Sequence, residues 1–500
     1  MRKSLFFWLT VVIAASVVAV GFLYFGRKSV TETLADVLPG VDEGVPHALV
    51  MAPGDQIQIG GDVPDSLAEE ASPSTKPYLN LMEGLLPLAG LSQETALLAT
   101  WAEEANRAEM YGVFLFPREE VSLLSSGRLP EPWREVIPEA SLERTGEKNR
   151  YRLQLVAGAP GMYLETADRL VLVSLQEGGI ARMRNALEDP GARLDVRWTV
   201  ETGWPGHLYL DDGGVLAASA SMQGQDVGDD PVRLEAAWRK TGDDGLLAWG
   251  VSGIEGWIPD KIKEGLTGHA WSETFFIPDP LIAAAGFNLP AGIAKMPEIT
   301  SELPRAAEAL GVDTGLLQKI LEGPLFLAFG GQSRFLVVNL PGFLVQLPGR
   351  GAAGENFIEA LWNRHWMRLS LTPKPLPGFE TGGTLAVPLT VVGAASEELA
   401  LLGAMEESGL KKRVPVRDVF ELPGSSLAWM YLDFPKMADA LENVARAGSL
   451  AQRVGLSGGE DLEDIALAAE ELRKFGRILM VMEDYRKGRI RWQQAPEGGQ

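Results

Sequence analysis

The segment Ser4–Gly26, SLFFWLTVVIAASVVAVGFLYFG, is an apolar run near the start of the chain, and its residues 5–25 carry no charge. At a rise of ~1.5 Å per residue, a helix over 5–25 matches the roughly 30 Å hydrocarbon core of a bilayer. Trp8 and Tyr24 lie near its ends, where amphipathic rings favour the headgroup layer. The sequence therefore predicts a transmembrane helix, through which the chain contacts a membrane.

A cleaved signal peptide is the alternative interpretation of this run. Signal peptides have an apolar region of about 7–15 residues followed by small residues at the cleavage site. This run is longer and ends in the bulky residues 22–25, which favours an uncleaved anchor. Its inner alanines, Ala14, Ala15 and Ala19, keep cleavage open as an alternative.

The orientation of the predicted helix follows from its flanks. Arg2 and Lys3 precede it and Arg27 and Lys28 follow it, so the positive-inside rule is nearly balanced. The short segment before the helix favours a cytoplasmic N-terminus. We therefore expect a single-pass protein of a bacterial inner (plasma) membrane, with residues 29–500 periplasmic or extracellular.

The composition limits the classes of partner and cofactor. The net charge is -22, and because residues 1–28 contribute four basic and no acidic side chains, the remainder carries -26. Such a field repels nucleic acid, so no nucleic-acid partner is expected. The chain has no cysteine and only four histidines, none at zinc-binding spacing. We expect neither a metal nor another cofactor.

The chain after the predicted anchor divides into segments of different character. Residues 29–45 are a short juxtamembrane segment, and 55–76 are rich in Gly, Pro, Ser and acids, which predicts a mobile loop. Similar patterns then occur twice, in residues 46–260 and 270–495. With 46% hydrophobic residues, the chain is long enough for two separate cores.

The repeated patterns consist of helix, strand and hairpin signals in the same order. Ser92 and Asp313 are predicted N-caps of helices, each followed by an apolar strand, at 113–116 and 325–328. A strand, turn and helix are then predicted at 169–189 and again at 388–408, with Ser396 as the second N-cap.

Each copy ends with a matching strand and hairpin. HLYLD at 207–211 recurs as WMYLD at 429–433, and hairpins follow at 233–249 and 477–492. The first four offsets, between 212 and 222 residues, are nearly constant, which favours an internal duplication. Two unrelated α+β domains are the alternative.

The predicted fold class is therefore α+β: one N-terminal transmembrane helix followed by two tandem, duplicated, mostly antiparallel sheet-plus-helix domains. The Pro- and Gly-rich segments PGFLVQLPGRG (341–351) and PKPLPGFETGG (373–383) are predicted surface connections. Strand-turn-helix units with segments such as LTVVGAASEELALLGAME (389–406) resemble an uncharacterised family of bacterial membrane-anchored proteins with a domain of unknown function. That resemblance implies an anchored, non-enzymatic role.

Two glycine motifs suggest chemistry that their context does not favour. Gly349, Gly351 and Gly354 match a dinucleotide-binding loop, but Pro348 precedes the turn and no acid follows the next strand. Ser457 lies in a G-x-S-x-G motif, but helical sequence precedes it and no histidine occurs after His365. Both motifs are more simply turns.

A cluster of aromatic residues is the predicted ligand contact. Trp362, His365 and Trp366 lie at i, i+3 and i+4 of one predicted helix, where they face the same side. Such a face stacks on a sugar ring or another ligand, or it belongs to the core. No catalytic residue is predicted.

Three functional hypotheses follow. The first is a non-catalytic extracytoplasmic protein that acts through contacts with an envelope protein partner. The second is a ligand-binding protein with a cleft between the two copies. The third is an envelope hydrolase that uses a pair of carboxylates.

Overall fold

A computed structural model of the chain describes residues 32–494, except for 55–84, 103–106, 148, 157–158, 197, 202, 223–226, 296, 336–337, 366–370, 387–389, 411 and 454–461. The chain separates into two compact units, residues 1–256 (unit 1) and 257–500 (unit 2). The predicted helix at 5–25 and the predicted loop at 55–76 lie outside the described residues.

Unit 1 is built mainly from antiparallel strands. After a 3₁₀ turn at Glu32–Val37, its strands are β1 (His47–Pro53), β2 (Glu94–Ala102), β3 (Arg107–Leu115), β4 (Ser141–Arg144), β5 (Arg150–Gln154), β6 (Met162–Ala167), β7 (Leu170–Ser174), β8 (Gly206–Asp211), β9 (Arg233–Thr241) and β10 (Asp244–Ser252). Its labelled helices are α1 (Arg118–Ser125), α2 (Glu131–Val136), α3 (Glu177–Glu188) and α4 (Val215–Met222).

The strands of unit 1 pair in the order β10-β9-β8-β1-β2-β3-β7-β6-β5-β4. One face of this sheet packs on α3 and the 3₁₀ turn. The core there includes Leu49, Leu98, Val113, Leu172 and Ile180, all fully buried. Helix α3 presents Ile180 and Met183 to this core because they lie three residues apart.

Unit 2 contains longer strands and longer helices. Its strands are β11 (Thr274–Phe276), β12 (Leu281–Leu289), β13 (Gly323–Phe335), β14 (Val338–Pro348), β15 (Thr381–Ala386), β16 (Thr390–Ala395), β17 (Leu399–Ala404), β18 (Arg413–Pro415), β19 (Ala428–Asp433), β20 (Arg477–Met482) and β21 (Lys487–Gln493). Its helices are α5 (Asp260–Lys263), α6 (Pro297–Leu310), α7 (Thr314–Leu321), α8 (Gly351–His365), α9 (Val416–Phe420), α10 (Phe434–Arg453) and α11 (Leu462–Arg473).

The main strands of unit 2 pair in the order β21-β20-β19-β12-β13-β14-β17-β16-β15, while β11 and β18 pair separately. This is the order of unit 1 without its last strand. Thus β12 occupies the place of β1, β19 that of β8, and β20 that of β9. The two units share one strand connectivity at low sequence similarity.

The central strands of unit 2 have cores on both faces. On one face, Trp271, Phe275, Phe326 and Trp429 are fully buried together. On the other face, helices α6, α7 and α8 cover the β14, β16 and β17 side, where Ile358 and Trp362 are buried.

The predicted fold class is wrong. It placed a transmembrane helix before two separate sheet-plus-helix domains, whereas 19 of the described strands are assigned to one mostly antiparallel sheet. In the part of the chain that the structure describes, no helix is both long and apolar enough to cross a bilayer. The membrane and single-pass classification therefore has no support here. Local periodicity predicts an element, but pairing between distant strands decides which sheet it joins.

Two predicted helices are strands. The residues after Ser92 form β2, and those around Ser396 form the hairpin of β16 and β17. The hydroxyl of Ser92 donates to the carbonyl of Ala89 and shares a 2.6 Å hydrogen bond with Thr95, so it caps no helix. Asp313, by contrast, is confirmed as an N-cap, accepting from the amides of Gly315 and Leu316.

Candidate functional site

The predicted aromatic contact is not assembled as one face. Trp362 is buried, and its indole Nε1 donates to the carbonyl of Gly393 at 2.6 Å. His365 is exposed at the end of α8, and Trp366 lies outside the described residues. The environment of Trp362 favours the core interpretation of this residue, since its one polar atom is satisfied inside the protein.

The glycine-rich loop before α8 contains Arg350, whose side chain makes hydrogen bonds to backbone carbonyls around the loop. The guanidinium of Arg350 donates to the carbonyls of Ile320, Pro348 and Pro324 at 3.2, 2.9 and 3.0 Å. Burial lowers the pKa of Arg350. Gly349 has a positive φ of 66°, so it serves the turn and needs no cofactor to explain it. Ser457 of the second motif lies outside the described residues.

A polar trio recurs at the end of the repeated strand. In unit 1, Arg233 donates to the carboxylate of Asp211 at 2.7 Å across the β8–β9 pair, and Tyr209 donates to it at 3.4 Å. In unit 2, Arg477 donates to Asp433 at 3.1 Å, and Tyr431 does so at 3.2 Å.

The electrostatics of the two trios are also alike. Burial and the neighbouring aspartate charge raise the pKa of Tyr209 and of Tyr431 to about 12. Burial alone would raise the pKa of Asp211, but hydrogen bonds from Arg233 and from the Gly213 amide outweigh it and lower that pKa. The carboxylate of Asp211 is therefore held ionised by its own neighbours.

The environment of the trio in unit 1 contains further titratable groups with internal partners. The carboxylate of Glu235, on the neighbouring strand, accepts from the amide and hydroxyl of Thr199 at 2.6 and 2.9 Å. His207 lies 3.3 Å from the carbonyl of Glu201, and its ring packs on Trp198. Among the described residues, no group of three His, Asp or Glu side chains is placed to hold a metal ion.

An extended apolar surface lies on the sheet of unit 2, on five neighbouring strands from β20 to β14. Strand register places its residues in three cross-strand rows. These are Ile478, Leu432, Ala283, Phe329 and Phe343; Met480, Met430, Ala285, Leu327 and Val345; and Met482, Ala428, Phe287 and Leu325. We call these 14 residues the apolar surface.

None of the residues of the apolar surface is buried, although all are hydrophobic. Phe287, Phe329 and Phe343 are 37, 40 and 48% exposed, and the last two face each other across the β13–β14 pair. The remaining eleven are half-buried. On the opposite face of the same strands, residues such as Phe326 and Trp429 are fully buried in the core.

The apolar surface continues the helix-covered core. Leu325 and Val345 pack against the cluster formed with α6, α7 and α8, whereas Leu327, Phe329 and Phe343 extend beyond that cluster. Exposed hydrophobic surface next to a core is typical of a binding site, because burying it on a partner is favourable.

Unit 1 has no exposed aromatic residue at the corresponding position. Its equivalent row is Leu234, Leu210, Ala48, Ala99 and Met110, so the Ala99–Met110 pair stands where unit 2 has Phe329 and Phe343. Met110 is buried there. The exposed aromatic pair is thus a feature of unit 2.

Sequence reasoning missed this surface. Phe343 lies in the segment 341–351, which was expected to be a surface connection because of its prolines and glycines, but which is largely β14. The available signal was the continuous apolar run of LIAAAGFNL, the sequence of β12, which is apolar on both faces of the strand.

Comparisons with known proteins identify no family. No protein-family model and no curated protein matches the chain. Among solved structures, crystal form I of TP0453 matches at 13% identity and a TM-score of 0.24, covering 45% of this chain and 80% of that one. Crystal form III matches at 12% identity and a TM-score of 0.25, covering 48% and 85%. TM-scores this low do not establish a shared fold.

Proposed function

We propose that this chain is a non-catalytic binding protein and that it binds through the apolar surface of unit 2. The observation that carries the proposal is the cross-strand pair Phe329–Phe343, in which two aromatic rings are exposed within a continuous hydrophobic face. Large exposed apolar patches are rare on soluble proteins, and where they occur they commonly mark binding sites.

The state of the buried acids supports the non-catalytic part of the proposal. Asp433 and Glu165 are the most buried carboxylates of the described residues, and each contacts arginine, Asp433 with Arg477 and Glu165 with Arg150 and Arg184. A general acid or base needs a poised proton and access to substrate. These carboxylates instead stabilise the fold.

A fluorescent dye tests the binding surface. Anilinonaphthalene sulfonate, which brightens in apolar sites, is titrated into the full chain, and saturable binding is expected. The variant Phe329→Gln/Phe343→Gln should bind about tenfold or more weakly, because each ring contributes roughly 1 kcal/mol when its exposed part is covered. Its fold should persist, since an exposed cross-strand pair stabilises by roughly 1 kcal/mol or less.

A matched control removes the same number of exposed apolar side chains elsewhere. Leu187 on α3 and Val419 on α9 are 36 and 47% exposed, and neither belongs to the apolar surface. Leu187→Gln/Val419→Gln should leave dye affinity unchanged. Equal loss in both double variants, or no saturable binding by the native chain, refutes the proposal.

A further inference from the structure

We infer that the helical hairpin formed by α10 and α11, called the flap below, closes over the apolar surface and controls access to it. This inference rests on the proposed function and assigns a means of regulation to the same site. It depends on how the flap is anchored, where α10 lies and what α10 leaves exposed.

The flap leaves and rejoins the sheet at adjacent points. It connects β19 to β20, which pair with each other. The amide of Phe434 donates to the carbonyl of Gly476 at 3.1 Å, and the rings of Phe434 and Phe475 lie 5.6 Å apart. A Cβ on Gly476 would lie 1.7 Å from the carbonyl oxygen of Gln493, so the sheet side of this stem is closely packed. Motion of the flap is therefore confined to the helices beyond a narrow, fixed stem.

The two helices of the flap are held to each other. The guanidinium of Arg473 on α11 contacts the carboxylates of Asp439 and Glu442 on α10, the first at 2.8 Å. Among the described residues, neither of the two cores of unit 2 includes a side chain from α10 or α11. Hinge motions are absorbed by a few residues at the ends of a moving element. The flap can therefore move as one body without opening either core.

Helix α10 already lies beside the apolar surface. It begins two residues after Leu432, a member of that surface, and it contacts β12 and β14. These strands are the first and third from β19 in the sheet, so α10 crosses the sheet in that direction. The core around Trp271 and Phe326 fills the opposite face of the strands, so α10 meets them on the side of the apolar surface. At ~30 Å, α10 is long enough to cross from β19 to β14, which are ~15 Å apart.

The structure shows the flap in an open position. Phe329 and Phe343 remain 40 and 48% exposed beside α10. On α10, Met437 and Leu441 lie four residues apart on one side and are half-buried, whereas Asn443 on the other side is exposed. Both apolar faces are thus only partly covered. A rotation of the flap about its stem brings them together, and burial of apolar surface favours that closed position.

The flap and the aromatic pair occur together in unit 2. In unit 1, the connection between β8 and β9 carries α4, which has eight residues. The corresponding cross-strand pair there is Ala99–Met110, and Met110 is buried. Among the described residues, the unit without an exposed aromatic pair thus has one short helix in the place of the flap. This association favours a common role for the two features.

The distance between two spin labels tests whether the flap moves. The chain has no cysteine, so Leu467→Cys on α11 and Val419→Cys on α9 provide the only labelling sites, at positions 62 and 47% exposed. Helix α9 is the fixed reference, because Val416 and Phe420 anchor it in the core on the opposite face. Pulsed electron paramagnetic resonance of the full chain should show two distances. Saturation with anilinonaphthalene sulfonate should change the ratio of their populations about threefold or more, because the dye favours one position of the flap. A single distance that the dye leaves unchanged overturns the inference.

Photocrosslinking tests where the flap closes. Phe343→p-benzoylphenylalanine in the full chain should form crosslinks to α10 or α11 on irradiation, identified by mass spectrometry. In that background, Leu441→Asp should lower the crosslink yield about threefold or more, because it places a charge on the closing face. Asn443→Asp adds the same charge on the exposed side of the same helix and should leave the yield unchanged. No crosslink to either helix, or equal yields in the two variants, overturns the inference.

The outcomes separate this inference from the proposed function. If the dye binds at the aromatic pair but the label distances do not respond to it, the flap assignment fails and the binding function stands. If two distances and crosslinks to the flap are found but the dye shows no saturable binding, the binding function fails and the closing motion stands.

Discussion

Gly286 should not tolerate a methyl group, although it lies in the middle of a strand. A Cβ there would lie 2.3 Å from Nε1 of Trp429 and 2.7 Å from Cη2 of Trp271. Both indoles are buried, and their rings meet edge to face with centroids 5.8 Å apart. Trp271 is further fixed by its Nε1, which donates to the carbonyl of Ser426 at 3.1 Å. Neither ring can move without disturbing the core.

The expected cost of Gly286→Ala is therefore an overpacking cost. Inserting a methyl group into a close-packed core costs about 1–3 kcal/mol. The φ of Gly286 is not positive, so alanine also restricts the unfolded chain and gains about 0.4–1 kcal/mol. We expect a net loss of about 1–2 kcal/mol in the free energy of unfolding, measured by urea denaturation of the full chain.

Gly178→Ala on α3 is the control, because no atom lies within 4 Å of a Cβ built there. It should gain up to about 1 kcal/mol from helix propensity. A Gly286→Ala protein as stable as the native chain would refute the close packing of the two tryptophans. The second change Trp429→Phe should recover part of the loss in the Gly286→Ala background, since it removes the nearest ring atoms.

Three further predictions concern the cap and the polar trios. Asp313→Ala should lower the free energy of unfolding by about 1 kcal/mol in urea denaturation, because α7 loses its N-cap. Arg233→Met should destabilise the chain most above pH ~3.9, the ordinary aspartate value, because the folded pKa of Asp211 is lowered. The difference in the free energy of unfolding between the variant and the native chain should decrease as the pH drops through that folded pKa. A difference that stays constant when urea denaturation is repeated at successively lower pH would contradict this. The pKa of Tyr209 and of Tyr431 is raised to about 12, so their stabilisation is complete below pH ~10 and is lost as the pH rises through about 12. Tyrosinate absorbance should show this late titration, and its amplitude should fall by two tyrosines in Tyr209→Phe/Tyr431→Phe, whereas Tyr111, whose pKa is also raised by burial, should still titrate late.

Sequence patterns predicted the elements whose faces differ clearly. Helix α3 and the hairpin β9–β10 follow the predicted segments, and β8 and β19 coincide with HLYLD and WMYLD. In each of these the apolar residues repeat at the period of a helix or a strand, so local sequence is sufficient.

Prediction failed where a strand is buried on both faces or is rich in helix-forming residues. In β2, residues 95–98 are all buried, so no alternation distinguishes a strand from a helix. In the hairpin β16–β17, Ala, Leu and Glu favour a helix locally, but pairing of β17 with β14 overrides that preference. The hydroxyl of Ser396 accepts a hydrogen bond from the amide of Leu399, so it stabilises the turn between β16 and β17 and caps no helix.

Because of the same errors, the first segments of the two predicted copies were matched to the wrong counterparts. The strand at 113–116 belongs to β3, whose counterpart by strand order is β14, not the segment 325–328 in β13. The apolar surface could not be predicted from the sequence for a related reason. Its rows run across strands that are far apart in sequence, so only the register brings Phe343 beside Phe329.

The arginine of the glycine-rich loop has a consequence for how unit 2 opens locally. Arg350 joins the end of α7, the start of β13 and the end of β14 through three carbonyl groups. A lysine has no planar fork and would not serve all three at once. Separating any one segment leaves a half-buried guanidinium short of a partner, which raises the free energy of partial unfolding. These segments therefore belong to one cooperative unit, which opens as a whole or stays closed.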